Sequence, residues 1–361
     1  MTTPSRDTYD TVVAGAGPAG VLAAYHAAER GDVLLIDAAS LPRDKSCGGM
    51  IHGLTRDALA PYGAIPDSIV LEPRFVNFRY VDWDRGVRKP TGLAFLNVDR
   101  AGFDDWLVSL LPANVEVVGG ATLTGFEQDG EGVRVTVRSG GAESTVSCAN
   151  LVGADGARSA VRRALGVDAG STYVTLQDYV EMDGELEPYF DCIYMRSLGD
   201  EFGYGYVMPK GKLAIVGSVF YPKTKRPWEK QDRLLEVLRA KMPQLGASVK
   251  REACAALYLR TRADVVPGAG RVLLAGEAGG FMSPTSGEGI SYAVRSGILA
   301  GRAIAGSPAA DSFGSYERST ASLRRDIARR LRWLPFMESR VGKWVGGLTP
   351  TWVVSRITEG L

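Results

Sequence analysis

Three glycine-rich elements, one cysteine and a pair of tyrosines carry the residue types in this chain that could do chemistry. Gly15, Gly17 and Gly20 stand as G-x-G-x-x-G in "VVAGAGPAGVL". That spacing suits a phosphate: Gly15 permits a tight turn, Gly17 lets the backbone approach a pyrophosphate, and Gly20 allows close helix–strand packing. A helix opening at Pro18 and Ala19 would present free N–H groups and a partial positive charge to the same phosphates. Asp37 closes the next apolar run, "DVLLID", where a carboxylate would accept hydrogen bonds from a ribose. Asp37 rather than a basic residue argues against a 2′-phosphate.

Cys47 lies in "RDKSCGGMI", between Lys45 and the pair Gly48-Gly49. On residue type alone it could be a nucleophile, a metal ligand, a disulfide partner or a small packing residue. The other cysteines, Cys148, Cys192 and Cys254, are scattered and form no C-x-x-C pair, which argues against a disulfide framework and against a zinc site. His26 and His52 are the only histidines, too few for a multi-histidine metal centre, and a Ser–His–Asp hydrolase is disfavoured on the same ground. No metal is expected. Lys45 could meet a phosphate or sit exposed in a loop, and His52 reads as a surface or satisfied core residue.

The elements that must position these residues follow from hydropathy. "YDTVVAGAGPAGVLAAYHAAERGDVLLIDAA" reads as strand, glycine turn, helix, strand, a βαβ unit whose unbroken apolar strands belong in a parallel sheet. Buried strands of that type recur at "ANLVGAD" and "RVLLAGEAGG". Between them lie alternating segments such as "RFVNFRYVDW" and "GYGYVMPKGKLAIVGSVFY", which read as antiparallel strands. The expected architecture is α/β, with a nucleotide-binding domain assembled from residues 1–70, 100–168 and 265–310. A substrate domain with an antiparallel sheet would take residues 71–99 and 169–264, and a C-terminal helical segment residues 311–361. The tail "YERSTASLRRDIARRLRWLPFMESRVGKWVGG" reads as helix, a break near Pro335, then helix. Its interleaved arginines and apolar residues suit either packing on the nucleotide domain or resting on an anionic membrane.

With 361 residues, 45% of them hydrophobic, the chain can bury a large core. A net charge of +1 gives no bulk attraction to nucleic acid. The N-terminal residues lack a secretory signal pattern, and no uncharged apolar run is long enough for a spanning helix, so the expected location is the cytoplasm.

The first motif, together with "GADGARS" and "AGEAGGFMSPTSGEGI", resembles FAD-dependent oxidoreductases of the p-hydroxybenzoate hydroxylase fold. That group includes aromatic hydroxylases, flavin halogenases and geranylgeranyl reductases. The resemblance implies a Rossmann-type FAD-binding domain and FAD as cofactor. It implies that Asp155 and Gly156 lie along the cofactor channel, and that Gly276 and Glu277 meet the ribityl chain, although the family places Asp where this chain has Glu277. Gly287, Glu288, Gly289 and Ile290 would face the flavin ring, their N–H groups stabilising the reduced ring. Arg100 matches a position where the fold places an arginine near the cofactor, and Cys47, Gly48 and Gly49 are expected on the flavin side, the glycines letting the backbone approach the ring.

"KSCGGMI", "YGYVMPKG" and "SPTSGEGISYA" together resemble the geranylgeranyl reductase branch, and within it the CbrA-type bacterial oxidoreductases. The resemblance implies reduction of carbon–carbon double bonds in a small hydrophobic, isoprenoid- or lipid-like substrate, with NAD(P)H or another carrier as external reductant. Such a reaction needs a proton donor and a dry cavity; Cys47, Tyr204 and Tyr206 are the candidates. The tyrosines would share one strand face by period two, a position equally suited to core packing. The alternatives are an aromatic monooxygenase, a flavin halogenase, or a non-enzymatic flavin sensor or carrier. Against the halogenase, "YGYVMP" holds tyrosines where that group's W-x-W-x-I-P element holds tryptophans.

Overall fold

The structure, a computed structural model, describes residues 3–168, 170–339, 341–342 and 349. The chain opens with β1 (Thr8–Ala14), α1 (Pro18–Ala27), β2 (Val33–Asp37), the short β3 (Met50–Ile51), α2 (Gly53–Leu59), β4 (Val70–Asp82) and β5 (Val87–Val98). It continues through α3 (Arg100–Ser109), β6 (Val115–Gly119), β7 (Ala121–Gln128), β8 (Val133–Ser139), β9 (Ala142–Gly153) and α4 (Ala160–Ala164). Then come β10 (Ser171–Met182), β11 (Tyr189–Tyr194), β12 (Phe202–Lys210), β13 (Leu213–Phe220), α5 (Pro227–Arg239) and β14 (Leu245–Tyr258). The described elements close with β15 (Gly268–Ala269), β16 (Val272–Leu274), α6 (Ile290–Gly306), α7 (Ser312–Ser319) and α8 (Ala321–Glu338).

The first sheet has the order β15-β16-β9-β1-β2-β6, with the β7–β8 hairpin attached through β8 to β9. From β16 to β6 the strands are parallel. Residues 12–14, 33–36 and 151–152 of its central strands are apolar without a break because both faces are covered there. Val13, Leu35 and Val152 pack with α1, α3 and α6 on one side, while Val12, Leu34 and Leu151 pack with Val135 and Val137 of β8 on the other. Strand β9 is long enough to serve two partners. Residues 142–148 pair antiparallel with β8, and 147–153 run parallel to β1. This is the Rossmann-type unit, and it ends every parallel strand at the same edge.

The second sheet has the order β14-β10-β13-β12-β11-β4-β5-β3. It departs from the expected antiparallel pattern at one place: β4 and β11 are parallel, from Tyr189 beside Asn77 to Tyr194 beside Asp82. More than a hundred residues separate these strands, so no hairpin forces their directions to oppose. A second departure concerns the first 70 residues, expected wholly in the nucleotide unit. Met50 and Ile51 instead pair with Asn97 and Leu96 of the second sheet, so the turn bearing Cys47 bridges the two sheets. Helix α5 covers one face of this second sheet. The opposite face carries Tyr206, Phe190 and Met208, with Tyr204 packed beside them.

The expected helix break at Pro335 is also corrected. Helix α8 runs through Pro335 to Glu338. The missing N–H removes one intrahelical bond three residues from the helix end, where little helix remains to be disrupted. The break falls four residues later, at Ser339, whose backbone is extended, and a separate break at Thr320 divides α7 from α8, its hydroxyl donating back to the Tyr316 and Glu317 carbonyls. The second helix expected in the tail lies largely outside the described residues.

Candidate functional site

A cavity of about 800 Å³ opens at the carboxyl edge of the parallel sheet. It runs from Asp37 past the Gly15–Ala19 turn to Gly276, Glu277 and the 287–290 segment, and it takes in Lys45, Cys47, Arg100, Asp155 and Gly156. Gly15 has φ +104°, and a Cβ there would lie 2.4 Å from the Ala154 carbonyl oxygen. A Cβ on Gly20 would lie 1.7 Å from the Gly15 carbonyl oxygen. Both positions therefore require glycine for the turn itself. Gly17 differs: its backbone is extended, and the one close neighbour of an added Cβ is the Arg43 guanidinium, at 2.7 Å.

Asp37 accepts from the Ala16 and Ala39 N–H groups, each at 2.8 Å, which fixes its carboxylate at the strand end. Arg43 reaches over this turn, 3.5 Å from Asp37 and 3.1 Å from Asp104. Arg43 was not singled out from the sequence, since one arginine in a polar loop carries no spacing signal. Its position beside Gly17 and the N-terminus of α1 is where an anionic diphosphate would meet a cation.

Cys47 lies on the cavity wall, whereas Gly48 and Gly49, expected beside the ring, are not part of its lining. The Cys47 sulfur accepts from the Gly49 N–H at 3.4 Å. Burial alone would push the thiol pKa up, but the Arg100 charge, the Gly49 hydrogen bond and Lys45 together bring it below the ordinary value. Arg100 is itself buried and gripped by Asp104, at 2.8 and 3.2 Å. Asp104 is thus shared by Arg100 and Arg43, coupling the phosphate end of the cavity to the cysteine.

The late loop differs from expectation in two particulars. The Gly287 N–H, expected to face the ring, donates to the Ser283 carbonyl at 3.0 Å. The Glu288 carboxylate caps α6, accepting from the Ser291 N–H and hydroxyl at 2.8 and 2.6 Å. Gly289 and Ile290, which also line the cavity, remain at the positive end of the 17-residue helix. Glu277 accepts from the Leu257 N–H at 2.7 Å and so ties this loop to β14. Its burial raises its pKa.

Tyr204 and Tyr206 do share a strand face, with ring centroids 6.4 Å apart, but neither lines the 800 Å³ cavity. Tyr206 stacks on Phe190, and its hydroxyl accepts from Gln177, which in turn accepts from the Ser46 hydroxyl at 2.8 Å. Tyr204 lies 3.5 Å from the Ser286 carbonyl oxygen. Burial raises both phenol pKa values, which leaves both neutral. The aromatic on the cavity wall is Tyr173, whose hydroxyl donates to Glu338 of α8. His52 caps α2 by accepting from the Leu54 N–H at 3.0 Å, and burial lowers its pKa.

The lining suits FAD. Two buried polar atoms on the cavity wall lack partners, Oδ1 of Asp155 and Nε of Arg43. One is an acceptor for a sugar or ribityl hydroxyl and the other a donor for a phosphate oxygen. Residues 110–320, more than half of the chain, match the family model described as FAD binding domain. Protein CbrA of Escherichia coli O9:H4 (strain HS) is 30% identical over 326 residues, covering 88% of this chain and 86% of its own. The chain belongs to the CbrA family of FAD-binding oxidoreductases. Two solved structures share the fold of this CbrA-family protein. A geranylgeranyl bacteriochlorophyll reductase-like protein from Thermoplasma acidophilum has a TM-score of 0.77 at 18% identity, covering 98% of this chain and 91% of that one. The flavin-dependent brominase Bmp2 has a TM-score of 0.74 at 19% identity, covering 98% and 94%.

Proposed function

We propose that this flavoenzyme reduces a carbon–carbon double bond in a hydrophobic, isoprenoid- or lipid-like substrate, drawing electrons from NAD(P)H or another carrier. The observation that carries the reading is the Cys47 thiol, on the cavity wall beside Arg100 and acidified by it. FAD would be held by the Gly15–Gly20 turn, Asp37, Arg43, Asp155 and the N-terminal end of α6, and when bound it supplies the hydride. Arg43 and the head of α1 offset the diphosphate charge, and the head of α6 offers N–H groups to the ring. Hydride arriving at one alkene carbon leaves the other in need of a proton. The Cys47 Sγ–H is the donor, and its lowered pKa makes it a stronger acid than a free thiol. Tyr206, Gln177 and Ser46 form a hydrogen-bonded line behind it and hold the Ser46–Cys47 segment in place.

The test is anaerobic incubation of dithionite-reduced holoenzyme with a prenyl-lipid pool, read by mass spectrometry. A gain of two hydrogens in one component is expected. Substrate-stimulated oxygen consumption with a hydroxylated product, and no such gain, would replace this reading with a monooxygenase.

The C-terminal helix supports contact with an anionic membrane. Trp333, Phe336 and Met337 recur at helical spacing on α8 and are exposed, Trp333 by 63%, and Val341 is exposed just past the helix end. Arg325, Arg329 and Arg332 are exposed on the same helix. Apolar side chains beside cations suit the boundary of an anionic bilayer. Glu338 fastens this helix to the cavity-wall residue Tyr173 and to Tyr258, so an interface-bound helix would lie next to the entry of a lipid-like substrate. At low salt the protein is expected to float with vesicles containing phosphatidylglycerol, and not with phosphatidylcholine alone. The Trp333→Asp/Phe336→Asp variant should lose at least about tenfold in binding. A parent protein that stays at the bottom of the gradient with both vesicle types sinks the idea.

A further inference from the structure

Lys210 ends β12 and is buried. Its ammonium donates to the Gly48 carbonyl at 2.7 Å, the Val98 carbonyl at 2.5 Å and Oδ1 of Asn97 at 3.0 Å. An ammonium has three donors, and these acceptors take all three. Asn97 is oriented to receive it, because its own amide donates to the Pro73 and Pro209 carbonyls at 3.2 and 3.3 Å. Gly49, with φ +63°, closes the cluster: a Cβ there would come within 2.5 Å of the lysine nitrogen and 2.3 Å of the Val98 oxygen. The Gly49 carbonyl accepts from the Val98 N–H at 2.9 Å. The Cys47–Gly49 turn is thus clamped to β5 and β12 by residues that do not line the cavity.

The cluster has an unusual charge balance. None of the three acceptors is a carboxylate, although a buried ammonium is costly without a counter-charge. The charged groups acting on it are Cys47, Asp99 and Arg100. Burial pushes the Lys210 pKa down to about 8, with Cys47 and Asp99 opposing that fall and Arg100 adding to it. Near neutral pH the lysine therefore stays mainly charged, with the sulfur of Cys47 among its few favourable neighbours.

We propose that Lys210 is a positioning residue for Cys47: it holds the Cys47-Gly48-Gly49 turn in its clamped geometry and adds positive potential at the Cys47 sulfur. This inference deepens the reductase reading and rests on it for its catalytic meaning. Loss of the ammonium frees the Gly48 and Val98 carbonyls and removes a cation near the thiol, so the thiolate becomes harder to form. Lys210 itself touches no reacting atom.

The test uses FAD-loaded protein without substrate. The rate of Cys47 alkylation by iodoacetamide is followed against pH by mass spectrometry of the Cys47 peptide. Cys148 and Cys192, whose pKa values burial pushes up to about 12, serve as slow internal references. In Lys210→Met the alkylation curve should move to higher pH, lowering the rate at pH 7 by about threefold to tenfold, while FAD stays bound. Lys210→Arg keeps a cation and should restore most of the shift. An alkylation curve in Lys210→Met identical to the parent's overturns the proposal. Should Lys210→Met fail to fold, Lys210→Gln and Lys210→Arg are compared instead, and equal curves for these two overturn it as well. Because alkylation involves no substrate, this result stands apart from the double-bond assay. A shifted thiol curve with no hydrogen gain would retain the positioning role and discard the reductase reading.

Discussion

Gly20→Ala is expected to purify without FAD and with a lowered melting temperature, whereas Gly17→Ala keeps its fold and loses cofactor affinity alone. The contrast follows from what each new methyl meets. At Gly20 it would lie 1.7 Å from the Gly15 carbonyl oxygen and 3.3 Å from the Ala154 side chain. Neither the carbonyl nor the helix behind it can retreat without opening the β1–α1 turn. Overpacking of this kind costs about 3 kcal/mol, at the upper end for core insertions. The turn that offers N–H groups to the diphosphate is displaced in the same movement. At Gly17 the backbone is already extended, and the methyl meets only the far end of the Arg43 side chain. The fold can absorb that by a rotamer change. The diphosphate, which must approach the Gly17 backbone and pair with Arg43, cannot absorb it. A loss of about tenfold to a hundredfold in affinity is expected, equivalent to about 1.4 to 3 kcal/mol. Thermal melts of FAD-free protein and fluorescence titration with FAD separate the two effects. If Gly20→Ala binds FAD like the parent, this turn is not the cofactor cradle.

The same pair shows what was legible in the sequence. Glycine requirements are backbone requirements, and a turn between a strand and a helix fixes them within six residues. The unbroken apolar runs of β1, β2 and the end of β9 were legible for a similar local reason, because a strand buried on both faces has no polar side to display. The side-chain chemistry of the site was less so. Arg43 and Lys210 look like ordinary loop and strand-end cations. Their placement depends on Asp104, 61 residues away, and on Asn97, 113 residues away. The parallel pairing of β4 with β11 has the same origin, since no local pattern links strands so far apart. Glu288 was misjudged in the other direction. Its place beside two glycines suggested the cofactor, but the serine three residues on already offers a local hydrogen-bond partner at a helix start, and the carboxylate takes it.

Cys47→Ala and Cys47→Ser are expected to keep FAD and the fold while lowering kcat by about a hundredfold or more, the range for losing a positioned general acid. Cys47 contributes one sulfur to the cavity wall, where it accepts a long bond from the Gly49 N–H, at 3.4 Å, and meets the Arg100 guanidinium. The turn is held chiefly by Lys210 and the Val98 bond, so removal of the sulfur leaves the geometry standing. Serine preserves the size and the hydrogen bond but is far too weak an acid to replace the thiol, which is why both variants should fail alike. The pH profile supplies a sign that packing cannot imitate. The thiol is protonated below its pKa and is a thiolate above it, and only the protonated form can donate. Turnover should therefore fall as pH rises through the Cys47 pKa. Arg100, the Gly49 N–H and Lys45 outweigh burial and set that pKa below the ordinary thiol value, so the falling limb should begin below the pH at which a free cysteine ionises. In Cys47→Ala the limb should vanish along with most of the rate. A variant that keeps the parent's kcat and the parent's falling limb removes the sulfur from the chemistry. The proton must then come from solvent admitted with the substrate, which would contradict the dry cavity that hydride transfer to an unactivated alkene requires.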